Sequence, residues 1–374
     1  MKGSVGLLAL LIFGSLLSIC HGESQAGTLR DNVVPNEIHR IVVIGDVHGD
    51  AHHFRQILTM AGLVSQPTKE SKHVAWKPKW DDREIELHSL HHTRLRTTLI
   101  QLGDLVDRGE EDLEVLEIAS SLSDQVDANH TNDNMVLLLG NHELLNLQGQ
   151  FYYVHPESMG GFLTKTLRKR AFELNGIFGR FLLDRFEVLH LDADTVFVHA
   201  GLNEMFALMG VEALNKEAKQ AIREGNHRHP ILGSSGPLWT RQMIMEASNG
   251  HCENIKKMLL AIGAERIVVG HTPQRSGHVE TFCDDSVIAA DVGLSRWMYG
   301  NLAALEIMVT SYKTGTNVWK DVVLREIVTS DIRRNQTLDE SLNDSLVLEE
   351  LQHAVEEFRS SQVNDASGDI LGDL

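Results

Sequence analysis

Apolar residues in this chain gather into short runs, and most of these runs stop at a glycine beside a polar side chain. Runs rich in Val, Ile, Leu and Thr at 40–44, 97–102, 135–139, 195–199, 266–270, 286–290 and 302–309 have the length and branching of buried strands. Apolar residues at helical spacing predict helices over 51–63, 110–122, 158–174, 204–224 and 252–262. Strands alternating with helices predict an α/β layered domain. In such domains ligands collect at the carboxyl ends of the strands.

Two stretches break the rhythm. Residues 65–96 are polar, with Trp76 and Trp80 set among Lys72, Lys77 and Lys79, and read as an insertion: a substrate-facing lid or a solvated hairpin. Residues 331–374 hold 11 Asp or Glu against 3 Arg and read as an acidic tail, with one helix over 345–359 and disorder beyond it.

The amino terminus differs in kind. Lys2, the apolar run "VGLLALLIFGSLLSI" and the small residues of "CHG" make residues 1–22 read as a secretory signal peptide, with a short membrane anchor as the competing reading. The expected destination is the secretory pathway: secreted, lumenal or vacuolar, or a complex plastid. Sequons at Asn129, Asn335 and Asn343 are consistent with that route. Cys20 would leave with the signal. Cys252 and Cys283 remain, as a disulfide or as two buried thiols. The chain between signal and tail, about 37–330, is long enough for one large domain with a sizeable core. The net charge of −18 argues against a general nucleic-acid or anionic-membrane binder.

The strand ends carry the chemistry. They read Gly45-Asp46-Val47-His48-Gly49, then Gly103-Asp104 through Asp107-Arg108-Gly109, then Gly140-Asn141-His142, then His199-Ala200-Gly201, then Gly270-His271. A single such ending is weak, since a lone His is more often a hydrogen-bonded core residue. Five endings delivered to one sheet edge are not an accident of composition. The donor set suits two metal ions about 3.5–4 Å apart, with Asp104 as the bridging anion. Asp46 and His48 can reach one ion, and Asn141, His199 and His271 can complete the other. Carboxylate, imidazole and amide suit zinc, manganese or iron, and the absence of thiolate disfavours a structural zinc site. His142 adjoins Asn141 without being spent on metal, and Asp107 could orient and charge it. Arg108 offers a planar fork for phosphate oxygens, and Arg241 in "GPLWTR" offers a second.

Taken together, "GDVHG", "GDLVDRG", "GNHE", "HAG" and "GHTP" resemble the phosphoprotein phosphatases of the calcineurin-like metallophosphoesterase superfamily, over about residues 40–310. "LLGNHELLNLQGQFYYV" is most similar to the Shewanella-like protein phosphatases. The resemblance implies a β-sandwich core flanked by helices, forming a single catalytic domain. It implies Asp46, His48 and Asp104 on one divalent ion and Asp104, Asn141, His199 and His271 on a second. It further implies His142 and Asp107 as a general-acid dyad, Arg108 as a phosphate clamp, and attack by a hydroxide between the ions on a phosphorylated protein or peptide. One departure is "ADVGLSRWMYGNLAALEI", which stands where animal-type serine/threonine phosphatases carry a "SAPNYC"-like toxin-binding segment. Two other functions fit the same residues: hydrolysis of diadenosine tetraphosphate, and a secreted phosphate-binding scaffold without turnover.

Overall fold

The computed structural model describes residues 33–65, 74–129 and 131–328. The predicted signal segment, the acidic tail and the sequons at Asn335 and Asn343 lie outside the described residues.

Eleven strands build two sheets among the described residues. They are β1 (Glu37–Ile44), β2 (Arg94–Gln101), β3 (Asn134–Leu138), β4 (Phe186–Glu187), β5 (Leu189–Asp192), β6 (Thr195–Val198), β7 (Arg266–Val269), β8 (Glu280–Phe282), β9 (Val287–Ala289), β10 (Ala303–Thr314) and β11 (Asn317–Val328). The first sheet runs β11-β10-β1-β2-β3-β4 and the second β5-β6-β7-β9-β8. β1 to β4 are parallel, as are β6, β7 and β9, so their carboxyl ends meet at common edges.

The sheets face one another as a sandwich. Ile41, Val43, Ile100, Leu102, Val136 and Leu138 of the first pack with Phe197, Val268 and Ile288 of the second. The intervening residues Val42, Ile44, Leu99 and Leu137 point the other way, into a core shared with the helices. A strand buried on both faces needs an unbroken apolar run, which is why Ile41–Ile44 shows no alternation.

Several helices differ from expectation. The predicted helix over 158–174 is two, Pro156–Gly161 and Lys165–Phe172, broken where Leu163 adopts φ 66°. That over 204–224 divides at Gly210, whose φ of 76° only glycine tolerates cheaply. Within 74–96 the chain forms helix Asp82–His91, capped by Asp81 and Glu84, rather than the strands of a hairpin. Trp76 is not a surface residue: it is buried, and its indole N–H donates to Asp133 Oδ2 at 3.1 Å. Cys252 and Cys283 form a disulfide, with their Cα atoms 5.4 Å apart. No helix among the described residues is long and apolar enough to cross a membrane.

Candidate metal centre

The loops after β1, β2, β6 and β7 and the first turn of helix Asn141–Leu147 after β3 deliver Asp46 and His48, Asp104 and Asp107, His199, His271, and Asn141 and His142 to one buried place. The backbone is bent sharply to do this. His48, Asp104, Asp107, Arg108 and His271 all have φ between 47° and 70°. Each such non-glycine residue costs about 1–3 kcal/mol and persists only where neighbours hold it. Val47 N and His48 N donate to Asp104 O at 3.0 and 2.9 Å. The buried Glu143 carboxylate accepts from the backbone N–H groups of Asp104, Leu105 and Gly140 at 2.8, 2.7 and 2.9 Å. A Cβ at Gly140 would collide with Asp104 Oδ1, so only glycine fits there.

Asp104 Oδ2 is the hub. It lies 3.4 Å from His199 Nε2 and 3.8 Å from both His48 Nε2 and His142 Nε2. His48 Nδ1 faces Val106 O at 3.2 Å and His199 Nδ1 faces Leu102 O at 2.8 Å. A carbonyl only accepts, so in each ring Nδ1 carries the proton. In the neutral rings, Nε2 then turns a lone pair toward the Asp104 carboxylate. For His199 it also faces Asn141 Oδ1 at 3.0 Å. Acceptors facing acceptors in a buried space call for a cation.

In the bare chain a proton takes the place of that cation at His199. Burial alone would lower His199, but the adjacent Asp104 carboxylate outweighs it and pushes the imidazole up to about 10. Burial would raise Asp104, yet the surrounding His199 and His142 hold it well below the usual carboxylate range. Burial, then the neighbouring Asp291, push Asp46 well above that range. Burial lowers His48 and His271 to about 3, which keeps both rings neutral and able to ligate.

Two groups of donors could each hold an ion: His48 with Asp104 and His142, and Asp104 with His199 and His271, each within 4.8 Å of one another. Asp104 belongs to both. Asp46 sits beside the first group, its Oδ2 3.8 Å from His48 Nε2, while its Oδ1 accepts from His271 N at 3.1 Å. His142 thus lies nearer to the first group than the sequence suggested. Its Nδ1 is bound to Asp107 Oδ2 at 2.8 Å. Burial opposes a proton on His142, but Asp104 and Asp107 together raise its pKa.

Both arginines border this space. Arg108 Nε is buried with no hydrogen-bond partner among the described residues, and its guanidinium lies 5.5 Å from the Tyr153 ring centroid. Arg241 is exposed and donates to Thr272 Oγ1 at 3.2 Å, next to His271.

Sequence reading passed over several buried residues here. Asp291 follows β9 and hydrogen-bonds Asp46. Burial pushes it up to about 6, and it accepts from Gly293 N at 2.9 Å. The signal was present, because "ADVG" has the form of "GDVHG" at a sixth strand end. Asp112, Asn146 and Arg168 surround Asp107, and nothing in their sequence context marks them. His53 is half-buried and places Nδ1 2.8 Å from Leu294 O.

The profile of the calcineurin-like phosphoesterase family matches residues 39–275. The chain belongs to this family. The phosphoesterase is 27% identical to Shewanella-like protein phosphatase 2 of Arabidopsis thaliana over 305 residues, covering 69% of this chain and 72% of that one. It is 26% identical to Shewanella-like protein phosphatase 1 of Plasmodium berghei over 269 residues, 68% of this chain and 67% of that one. A cold-active protein tyrosine phosphatase from a psychrophilic Shewanella shares its fold at a TM-score of 0.56 and 18% identity, over 78% of this chain and 82% of that one.

Proposed function

We propose that this phosphoesterase is a two-metal protein phosphatase that hydrolyses phosphomonoesters on proteins or peptides. One observation carries the reading: the buried His142–Asp107 pair, joined at 2.8 Å, abuts two donor groups that share Asp104. Protein phosphatases among its relatives support the substrate class.

Asp46, His48 and Asp104 would hold one ion, and Asp104, Asn141, His199 and His271 the other. Divalent manganese, iron or zinc would supply Lewis-acid charge to the phosphoryl group and acidify a water. Arg108 and Arg241 bind and orient the phosphoryl oxygens. As water adds to phosphorus its surplus proton passes to a phosphate oxygen, the ester P–O bond breaks, and the leaving oxygen takes a proton from His142 Nε2. Asp107 keeps the imidazole turned for this transfer and favours its charged form. The Cys252–Cys283 disulfide supports passage of the chain through an oxidising compartment.

The test is a panel of phosphotyrosyl and phosphoseryl peptides assayed beside diadenosine tetraphosphate, coupled to metal analysis of the purified protein. Phosphate release from peptides with two ions per chain is expected. Cleavage of the dinucleotide alone would overturn the protein-phosphatase reading.

A further inference from the structure

We propose that Arg168 is a positioning residue for the reaction, fixing the Asp107 carboxylate that in turn orients His142; this role rests on the general-acid reading of His142 given above. Arg168 lies in "KTLRKRAF", the helix Lys165–Phe172. Its basic neighbours Lys165, Lys169 and Arg170 are exposed, whereas Arg168 is fully buried. Its guanidinium stands 4.9 and 5.2 Å from the ring centroids of Phe162 and Phe172. A cation in such surroundings needs its donors matched.

The donors are matched, and they converge behind the dyad. Arg168 Nη2 donates to Asp107 Oδ1 at 3.2 Å, Asp112 Oδ2 at 2.7 Å and Asn146 Oδ1 at 2.8 Å. Nε donates to Asn146 Oδ1 at 3.0 Å. Asn146 Nδ2 in turn donates to Asp107 Oδ1 at 2.8 Å, and Asp112 Oδ1 accepts from Asp107 N at 2.8 Å. Two donors therefore occupy Asp107 Oδ1, and the backbone of Asp107 is anchored as well. Oδ2 is left for His142 Nδ1. The carboxylate cannot rotate without breaking bonds to both Asn146 and Arg168.

A plain structural staple between helices would need the Arg168–Asp112 bridge alone. Burying a guanidinium with two carboxylates carries a large desolvation cost before their attraction is counted, and apolar residues of similar volume often hold a fold as well. The contacts to Asp107 and Asn146 are what a staple does not require and an oriented dyad does.

The experiment compares p-nitrophenyl phosphate with phenyl phosphate on the manganese-loaded enzyme. They differ by one nitro group, and phenolate is the poorer leaving group and depends more on protonation. Arg168→Lys keeps the charge and loses the fork. It should lower kcat on phenyl phosphate by about 30-fold and on p-nitrophenyl phosphate by no more than about threefold, with KM within about twofold. Asn146→Ala should give the same signature at smaller size, and it decides the question if Arg168→Lys does not fold. Adding Arg168→Lys to Asp107→Asn should cost nothing further, because both act through one imidazole. Equal losses on the two substrates, a loss confined to KM, or an additive double variant would overturn the role. Wild-type enzyme inert toward both monoesters would overturn the general-acid reading beneath it. Wild-type turnover with equal losses would remove only Arg168.

Discussion

Asp104 Oδ2 and His199 Nε2 lie 3.4 Å apart, the first carried by the sheet containing β1 to β3 and the second by the sheet of β6 and β7. In the bare chain a proton on His199 satisfies that contact. A divalent ion must displace the proton to use the same nitrogen. Metal binding should therefore release protons, and apparent affinity should rise with pH through the range where His199 deprotonates. Calorimetric titration in buffers of different ionisation enthalpy would measure the release. A pH-independent affinity would sink the assignment of His199 as a ligand.

Asp104→Asn keeps the shape of the side chain but removes the negative charge and one of the two acceptor oxygens shared between the donor groups. We expect metal content to fall from two ions to one or none, and kcat to drop at least about a hundredfold, as expected when charge stabilisation of a transferring phosphoryl is lost. Elemental analysis with steady-state kinetics reads both. Full turnover by the variant would rule out Asp104 as the shared ligand.

His142→Gln should lower kcat about 10²–10⁴-fold with little change in KM, the scale of a lost general acid. Metal content should stay near wild type, which separates this role from ligation. A variant that loses one ion would instead make His142 a ligand, as its place in the first donor group permits.

Arg296 grips the buried Asp50 carboxylate through Nε and Nη2 at 2.9 and 2.8 Å. Burial would raise Asp50, but these bonds outweigh it and hold the carboxyl below its ordinary value. A depressed carboxylate stabilises the fold above its unfolded pKa, and that contribution is lost as pH falls through the folded value. Arg296→Ala should thus cost roughly 1 kcal/mol at neutral pH, given the partial exposure of Arg296, and less in acid. Denaturant melts of both proteins at several pH values would show the gap narrowing on acidification. A constant gap would mean that the link acts through packing instead.

Much of the convergence was legible because most of these polar side chains sit where an apolar run meets glycine, as at Ile44-Gly45-Asp46 and Val269-Gly270-His271. The sandwich topology followed only from resemblance, since period and composition do not say which strands pair. β11 was missed for a physical reason: as an edge strand of a hairpin it mixes Lys320, Asp321 and Arg325 with half-exposed apolar residues. β4 and β5 are too short to register as runs. Arg168 was hidden in a basic stretch that reads as a solvated helix face. Only the fold reveals which of its cations turns inward.

The two-sheet sandwich also sets what the centre can tolerate. Asp46, His48, Asp104 and Asn141 ride on one sheet, and His199 and His271 ride on the other. The spacing between the two donor groups is thus governed by how Phe197, Val268 and Ile288 seat against Ile41, Val43 and Ile100. Interior substitutions that let one sheet slide over the other would detune the Asp104–His199–His271 donor group first, from residues that belong to neither donor group. The distance across that donor group is in this sense a gauge of sheet alignment.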